Sequence, residues 1–467
     1  MSTISETRLD SGTRNAGFPQ RAGYWLCLGM ACFAWHNSYA LSLSDAVALA
    51  RSGDPTFLGA QANLAVARER ANQAFANVLP QVNASAGVNA NHRVYTTRTT
   101  PSTTYDDKFA SNSAQINLTQ PLWRSANRAA ITQSDAALAQ AEYQLAAADQ
   151  DLLVRLAQAW FDVLSARDQL TFIHDQVSTA QQELDQTARA TALGILGQPS
   201  REEARMKYDQ AVAERTAAEA DLAVKFAALE QIIGPAIFPA LPALSDQYPL
   251  TDLKDDTLER WLGGADSDNP AIRAALSALE AANAEIRKQR AGHEPTVDIV
   301  GSYGKNAQGS GTFGGQGGYD STTGSIGLQF NLPLYSGGGQ SAKVREAVAL
   351  RAKAQQELES ARRNARSQGK QAWYGWLASR SRLVAARQAL QYATLNLQSA
   401  RSGVATGIKT ELDVLKGQQQ RYGALRDLAR ARYESTLNHF RLKASIGQLM
   451  DEDLVSLDQW LVQAPEQ

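Results

Sequence analysis

Ile326-Gly327-Leu328-Gln329-Phe330-Asn331-Leu332-Pro333-Leu334 alternates apolar with small or polar residues, the two-residue period of a strand with one dry and one wet face. Upstream, Val297, Ile299, Gly301 and Tyr303 alternate in the same way, and a Gly-rich stretch over 309–318 separates the two runs. The first half of the chain holds a second such pair. Val82, Ala84, Ala86 and Val88 alternate with Gln81, Asn83, Ser85 and Asn89; beyond a Thr-rich stretch from Thr96 to Thr104, Ala114, Ile116 and Leu118 alternate with Gln115, Asn117 and Thr119. Four strands are expected, near 81–93, 110–121, 296–306 and 324–334.

The pairing is part of a tandem duplication. Asp54-Pro55 and Asn269-Pro270 lie 215 residues apart, as do Pro80 and Pro295. Gln120-Pro121-Leu122-Trp123 resembles Leu332-Pro333-Leu334-Tyr335 at a spacing of 212. Gln158-Ala159-Trp160-Phe161 matches Gln371-Ala372-Trp373-Tyr374 at 213, and Gly194 and Gly407 share that spacing. A repeat held over so long a stretch defines the architecture before any single element does. The boundaries read as 41–234 for the first unit and 257–447 for the second, a Pro-rich connector at 235–256, and a tail at 448–467.

Each unit contains helices on both sides of its strand pair. Ser42 to Leu79 is Ala-rich, opens with Ser44-Asp45 as a cap, and breaks at Gly53-Asp54-Pro55. Leu138, Ala141, Leu145, Ala148, Leu152, Leu156, Ala159 and Val163 step by threes and fours within a stretch free of Gly and Pro. That predicts a helix over 124–193, about 105 Å long at 1.5 Å per residue, followed by a helix over 199–233. The second unit repeats the plan, with helices from about 267 to 294, over 339–402 and over 410–447. In each unit the two shorter helices together match the long one, so they stack end to end beside it. All strands then lie at one end of the columns, and the turns around Gly194 and Gly407 at the other.

The 467 residues carry 46 basic and 47 acidic side chains, a net charge of −1, which gives nucleic acid no basic surface to bind. Both cysteines, Cys27 and Cys32, lie in an apolar run preceded by Arg8, Arg14 and Arg21 and followed by Ser38-Tyr39-Ala40. This reads as a secretory signal peptide over 1–40; an uncleaved anchor and lipidation at Cys32 are the competing readings. Beyond it no run of about twenty apolar residues offers a membrane-spanning helix. Four strands cannot close a barrel alone, and open sheet edges are prohibitive in a bilayer, so the sheet closes with partner chains. Three chains supply twelve strands, an even number suited to a bacterial barrel. Val297, Ile299, Tyr303, Ile326, Leu328 and Phe330 then face lipid.

With these features the chain resembles the TolC family of outer-membrane efflux and secretion proteins over essentially its whole length after residue 40. The family's repeat carries a Gly-containing turn, then a helix start like T-x-x-D-V-L, then a Tyr. Here Gly407-Ile408-Lys409-Thr410-Glu411-Leu412-Asp413-Val414-Leu415 precedes Tyr422, and Gly194-Ile195-Leu196-Gly197-Gln198-Pro199-Ser200 precedes Tyr208. The resemblance implies a fold that is mainly α with a membrane β-barrel portion, a homotrimer whose twelve-stranded barrel continues into a long α-helical barrel in the periplasm. It also implies a periplasmic adaptor docked at the distal tips, Leu193-Gly194-Ile195 and Thr406-Gly407-Ile408, with an inner-membrane ABC or RND transporter behind it. Asp413 falls at the family's acidic constriction. The next acidic position holds Lys416, the basic partner of the family's gate lock is Lys409, and the acidic partner is replaced by Ser200.

The remaining motifs point to no bond chemistry. Gly403-Val404-Ala405-Thr406-Gly407-Ile408-Lys409-Thr410 lacks the adjacent Gly-Lys of a phosphate-binding loop and follows a helix instead of a strand. His92, His174, His293 and His439 have no metal-ligand spacing. Trp123, Trp160, Trp373 and Trp376 read as packing or interfacial residues. No catalytic group, metal or cofactor is expected. The expected role is passive conduction, with type I protein secretion ahead of small-molecule efflux of drugs or metals. A soluble periplasmic coiled-coil scaffold or adaptor is the alternative of another class, one with no use for lipid-facing strands.

Overall fold

The computed structural model describes residues 42–235, 241–245, 248, 257–309 and 317–462. These belong to one compact unit, Ala40–Gln467; the leader reading of 1–40 lies outside the described residues. The first unit runs α1 (Leu43–Gly53), α2 (Pro55–Ala76), β1 (Gln81–Thr96), β2 (Thr104–Trp123), α3 (Ser125–Ala192) and α4 (Gln198–Ile233). A short β3 (Ala243–Leu244) lies in the connector. The second unit runs α5 (Leu258–Asp268), α6 (Pro270–Arg290), β4 (Thr296–Gln308), β5 (Tyr319–Asn331), α7 (Gly339–Ala405) and α8 (Glu411–Ser445). The tail adds α9 (Asp451–Asp458) and β6 (Leu461–Val462).

Helix breaks follow local chemistry that the two units share. Asp54 caps α2 by accepting the Phe57 N–H at 3.0 Å, and Pro55 begins the helix where its missing N–H costs nothing. Asn269 caps α6 by accepting the Ala271 N–H at 2.9 Å, again ahead of a proline. The cap of α1 is Ser42, whose Oγ accepts the Asp45 N–H at 3.0 Å, two residues before the expected Ser44-Asp45 start. The helix expected from about 267 to 294 is divided at Asn269: α5 ends at Asp268, α6 runs from Pro270 to Arg290, and α5 packs Trp261 toward Trp373 on α7.

The duplicated caps differ in charge. Asp54 is buried and accepts a hydrogen bond from Arg155 Nη2 at 2.8 Å. Burial pushes its carboxyl upward, but the Arg155 guanidinium and the Phe57 amide outweigh this and hold it below the usual carboxylate range. Asp54→Asn keeps the cap, as Asn269 does, and loses the ion pair. Stability is expected to fall by roughly 1–2 kcal/mol at neutral pH. A depressed folded pKa contributes stability that is complete above the unfolded value and lost as pH falls through the folded one. The gap between the two proteins should therefore close in acid below the usual carboxylate range. Urea unfolding of detergent-extracted protein, followed by helical circular dichroism at both pH values, checks this; equal stability at neutral pH would count against the tie.

α2 and α4 both pack along α3, and α6 and α8 along α7. The joints are close: the Ile233 carbonyl lies 3.1 Å from where a side chain at Gly53 would begin, and Asp268 O lies 2.6 Å from that point at Gly447. α3 has 68 residues and α7 has 67, about 100 Å each. Small buried residues let the helices approach, as with Ala204, Ala211 and Ala218 at heptad spacing on α4. Trp160, Leu156 and Leu164 of α3, Leu229 of α4 and Phe440 of α8 form the main apolar core. α1 and the tail complete it through Leu43, Val47, Leu454 and Leu457.

Connector and tail are therefore more than links. β3 pairs with β6, and Asp458 accepts the Leu43 and Ser44 amides at 2.7 and 3.1 Å, closing the start of α1. Arg51 joins Asp149 at 2.8 Å and Asp451 at 2.6 Å, tying α1 to α3 and to α9. These contacts link positions far apart in sequence and leave no local pattern.

The four long strands form one antiparallel sheet in the order β1-β2-β4-β5. β1 and β2 pair from Gln81↔Thr119 to Thr96↔Thr104, so both strands run past the expected 93 and 110 to the two ends of the Thr-rich stretch, which remains the loop between them.

Candidate functional site

Directly paired residues of an antiparallel ladder point to the same side of the sheet. Ala84 opposes Ile116, Ile116 opposes Tyr303, and Tyr303 opposes Gly324. Val82 opposes Leu118, Leu118 opposes Gly301, and Gly301 opposes Ile326. Ile299 with Leu328 and Val297 with Phe330 extend the same face. One side of all four strands is thus apolar. The other carries the amides and hydroxyls of Asn83, Ser85, Asn89, Gln115, Asn117, Ser302, Asn306, Ser325 and Gln329, with charge only towards its ends, at Asp298 and at Arg93 opposite Asp107.

The apolar face has a defined height. On β1 it runs from Val82 to Ala90 before His92, about the nine residues that a tilted strand needs to cross a bilayer. At its far edge His92 pairs with Asp106 at 2.6 Å and Lys305 with Asp320 at 3.9 Å. At the helix end Trp123 lies under the Arg128 guanidinium, 4.8 Å from ring centre to carbon. Ile326, Leu328 and Phe330 are exposed in the single chain. Sequence alternation marked an apolar face on each of the four strands; that Val82, Val88, Ile116 and Leu118 lie on the same side as those of β4 and β5 follows from the ladder.

The opposite end of the molecule is built from two matching turns. Gly194 and Gly407 take φ of +71° and +73°, the left-handed conformation that closes a helix C-terminus at low cost only for glycine. Ile195 N–H donates to Ala190 O at 2.9 Å and Gly194 N–H to Thr191 O at 3.0 Å; Ile408 and Gly407 repeat this with Gly403 at 2.8 Å and Val404 at 3.0 Å. The apolar residue after the glycine often folds back onto the helix, but here it faces Ala190 or Gly403. Leu193, Ile195 and Ile408 accordingly stand 75%, 72% and 83% exposed. Leu196 joins them at the first tip, half exposed, a residue that its sequence context did not single out.

Around the second tip the charged residues are partly committed. Asp413 accepts the Thr410 N–H at 2.9 Å and the Thr410 hydroxyl at 2.8 Å, forming a capping box at the start of α8. These bonds, with Lys416 and Lys409 nearby, hold its carboxyl below the usual range. The Lys409 side chain lies against Gly403. Lys416 lines a cleft of about 230 Å³ with Glu183, Lys207 and Gln419, between α3–α4 and α8. Among the described residues Ser200 and Lys409 form no hydrogen bond with each other. The Ser200 amide donates to Gly197 O at 3.1 Å.

The two helical hairpins are joined unevenly. Tyr433 OH donates to Asp168 at 2.8 Å, and Arg426 stacks over Phe172 at 4.9 Å while donating to Gln169 at 3.4 Å. From Arg426 down to the tips, no hydrogen bond or ion pair joins α3–α4 to α7–α8 among the described residues.

Trp160 is fully buried and Trp376 nearly so, with Trp373 between Trp261 and Trp376, its ring tilted to both. Among the described residues no group of three or more His, Cys, Asp or Glu side chains could hold a metal, and no helix is long and apolar enough to cross a membrane. The Gly403–Lys409 segment closes α7 and follows no strand.

The sequence profile of a family described as outer membrane efflux protein matches residues 46–235 and 261–448. Outer membrane protein TolC of Escherichia coli K12 is 30% identical over 432 residues, 90% of this chain and 85% of that protein. The proteases secretion protein PrtF of Dickeya chrysanthemi is 28% identical over 433 residues, 92% of this chain and 93% of that protein. The solved structure of the Campylobacter jejuni CmeC outer membrane channel has the same fold, with a TM-score of 0.71, 16% identity, and coverage of 96% of this chain and 98% of that one.

Proposed function

The chain belongs to the outer membrane efflux protein family, and from that premise we propose that three copies form the exit duct of a type I protein secretion machine. It lies in the outer membrane, with its helical portion in the periplasm. The observation that carries the duct reading is the sheet: four strands with one continuous apolar face and two free edges, β1 and β5. In hydrocarbon such edges must be closed, and three copies close twelve strands with the apolar side toward lipid. The helical flanks agree, for the single chain leaves Phe75, Met206 and Val224 exposed on one set of helices and Leu377, Tyr392 and Leu395 on another. Packed copies cover both.

Polypeptide cargo is supported by the relative named for protease secretion. An adaptor meets the exposed aliphatics of the tips, and an inner-membrane transporter supplies the energy. Asp413 and Lys416, three residues apart on α8, form a gate of mixed charge in three copies, with Lys409 and Ser200 beside it. The gate opens where the hairpins lack ties, beyond Arg426. Deleting the gene and comparing the secreted proteome with drug and metal sensitivity tests the cargo. The expected result is loss of one exported polypeptide with sensitivity unchanged. Hypersensitivity with an intact secreted proteome overturns secretion in favour of small-molecule efflux. Recovery of the protein as a soluble periplasmic monomer overturns the duct itself.

A further inference from the structure

We infer that the helical part of the duct carries a binding station for acidic polypeptide, a cleft on the lumen side of α3 and α8 where Arg430 and Arg441 take carboxylates of the passing chain. This rests on the secretion-duct reading above. The cleft holds about 750 Å³ between Gln158 to Gln169 of α3 and Arg426 to Arg441 of α8, with α4 and α7 at its sides. Lys225, Arg382, Arg426, Arg430 and Arg441 bring five basic groups to its wall, against the three acidic ones of Asp162, Asp221 and Glu434.

The packing of the helices decides which way the cleft faces. α3 packs against α2 and α4 on one side and against α6 and α8 on the other, and α7 follows beyond these. Further copies add at the two outer columns, so the cleft over α3 and α8 stays open in the middle of the layer. α1, α9 and the β3–β6 pair cover one face, where Leu152, Leu156 and Trp160 of α3 share an apolar core with Leu43, Leu244 and Leu454. Gln158, Asp162, Ser165 and Gln169 fall on the opposite side of α3 at helical spacing. Twelve columns packed at helix-to-helix distance enclose a bore of roughly 20–30 Å, which three such bands would plug. The band therefore lies outside, and the cleft faces the lumen.

The basic groups differ in what already holds them. Arg382 donates to Glu434 at 2.6 Å. Arg426 is tied to Asp427 at 2.6 Å and lies over the Phe172 ring. Arg441 donates to amide oxygens, those of Gln158 at 2.8 Å and Asn438 at 3.4 Å. Arg430 has no hydrogen bond or ion pair among the described residues, and both Arg430 and Arg441 are exposed. The carboxylates left in the cleft compete weakly. Burial pushes the Asp162 carboxyl above its ordinary value, against the pull of Lys225 and Arg441. Neither Asp162 nor Asp221 forms an ion pair at contact distance among the described residues. A guanidinium in this state binds a carboxylate through two parallel N–H···O bonds. Arg430 and Arg441 stand about 16 Å apart along α8, the reach of about five residues of extended chain. An unfolded acidic segment spans both, whereas a basic or neutral one gains no such bond.

Block of ionic current tests the station. Trimers are inserted in a planar lipid bilayer, and a peptide of alternating Asp and Ser is added from the barrel end, which reaches the cleft without passing the tips. It is expected to block at concentrations at least about tenfold below those of a Lys-Ser or Gly-Ser peptide of the same length, with weaker block at high salt. Arg430→Gln with Arg441→Gln removes two charge-assisted contacts from exposed positions, and the half-blocking concentration should rise at least about tenfold. Equal block of both proteins by the acidic peptide, or equal block by the acidic and basic peptides, overturns the station. The duct and its cargo then stand, because the deletion strain scores them separately. Absence of ionic current through intact, unsubstituted trimers overturns the duct, and the station with it.

Discussion

Leu328→Arg is expected to abolish assembly in the outer membrane, while Gln329→Arg, one residue along the same strand, leaves it intact. Leu328 sits in the middle of the apolar face, between Ile326 and Phe330 and opposite Ile299. An arginine at the midplane of a transmembrane barrel costs about 2–4 kcal/mol, and three copies place it three times in one assembly. The combined cost, roughly 6–12 kcal/mol, is comparable with the whole stability of many folded proteins. Gln329 opposes Asp298 on the wet face, where a further charge meets water. The two variants add the same group to adjacent positions, so only the face separates them. Trimer bands from outer-membrane fractions on semi-native gels measure the outcome. Equal assembly of both variants would falsify the lipid-facing assignment.

The sheet was legible because a strand's side chains alternate between two solvents. A residue such as Leu328 then declares its face from its neighbours Gly327 and Gln329 alone. Strand ends were harder to read. Thr96 and Thr104 sit in a Thr-rich stretch that suits a ladder as well as a loop, and only pairing decides between them. The helix break at Asp54-Pro55 was readable from local sequence, whereas the one at Asn269-Pro270 fell inside the helix expected from about 267. The docking of Leu454 and Leu457 against α1 was not, since nothing near them in sequence marks their partner. The same limit applies at the tip. Thr410 and Asp413 carry a capping-box pattern, while the family resemblance led to the expectation of a constriction at Asp413; the structure assigns the Asp413 carboxylate to the cap within one chain. The turns at Gly194 and Gly407 announced themselves by composition, whereas the exposure of Leu196 depends on how the chain leaves the turn.

Serine at Leu193, Ile195 and Leu196 together is expected to cut export about a hundredfold or more, with normal amounts of trimer in the outer membrane. Burying one aliphatic side chain against a partner contributes about 1.5–3 kcal/mol, and each 1.4 kcal/mol is tenfold in affinity. The first tip offers three such side chains, while the second offers Ile408 beside Lys409. Ile408→Ser alone should therefore weaken export about tenfold. These residues stand free of the chain's own core, so their loss separates docking from folding. The glycines complete the argument from the opposite direction. Among the described residues, leaving aside the two adjacent ones, no atom lies within 4 Å of where a side chain at Gly194 or Gly407 would begin, so valine there meets no neighbouring element. It must instead leave the left-handed conformation, at about 1–2 kcal/mol, and move the aliphatic knob with it. Gly194→Val with Gly407→Val should thus block export although every apolar side chain at the tips is still present. Export of the polypeptide lost in the deletion strain, scored beside trimer abundance, reads both experiments. Full export from the triple-serine variant would exclude the tips as the docking surface, and full export from the double-valine variant would show that the turn geometry does not matter to the partner.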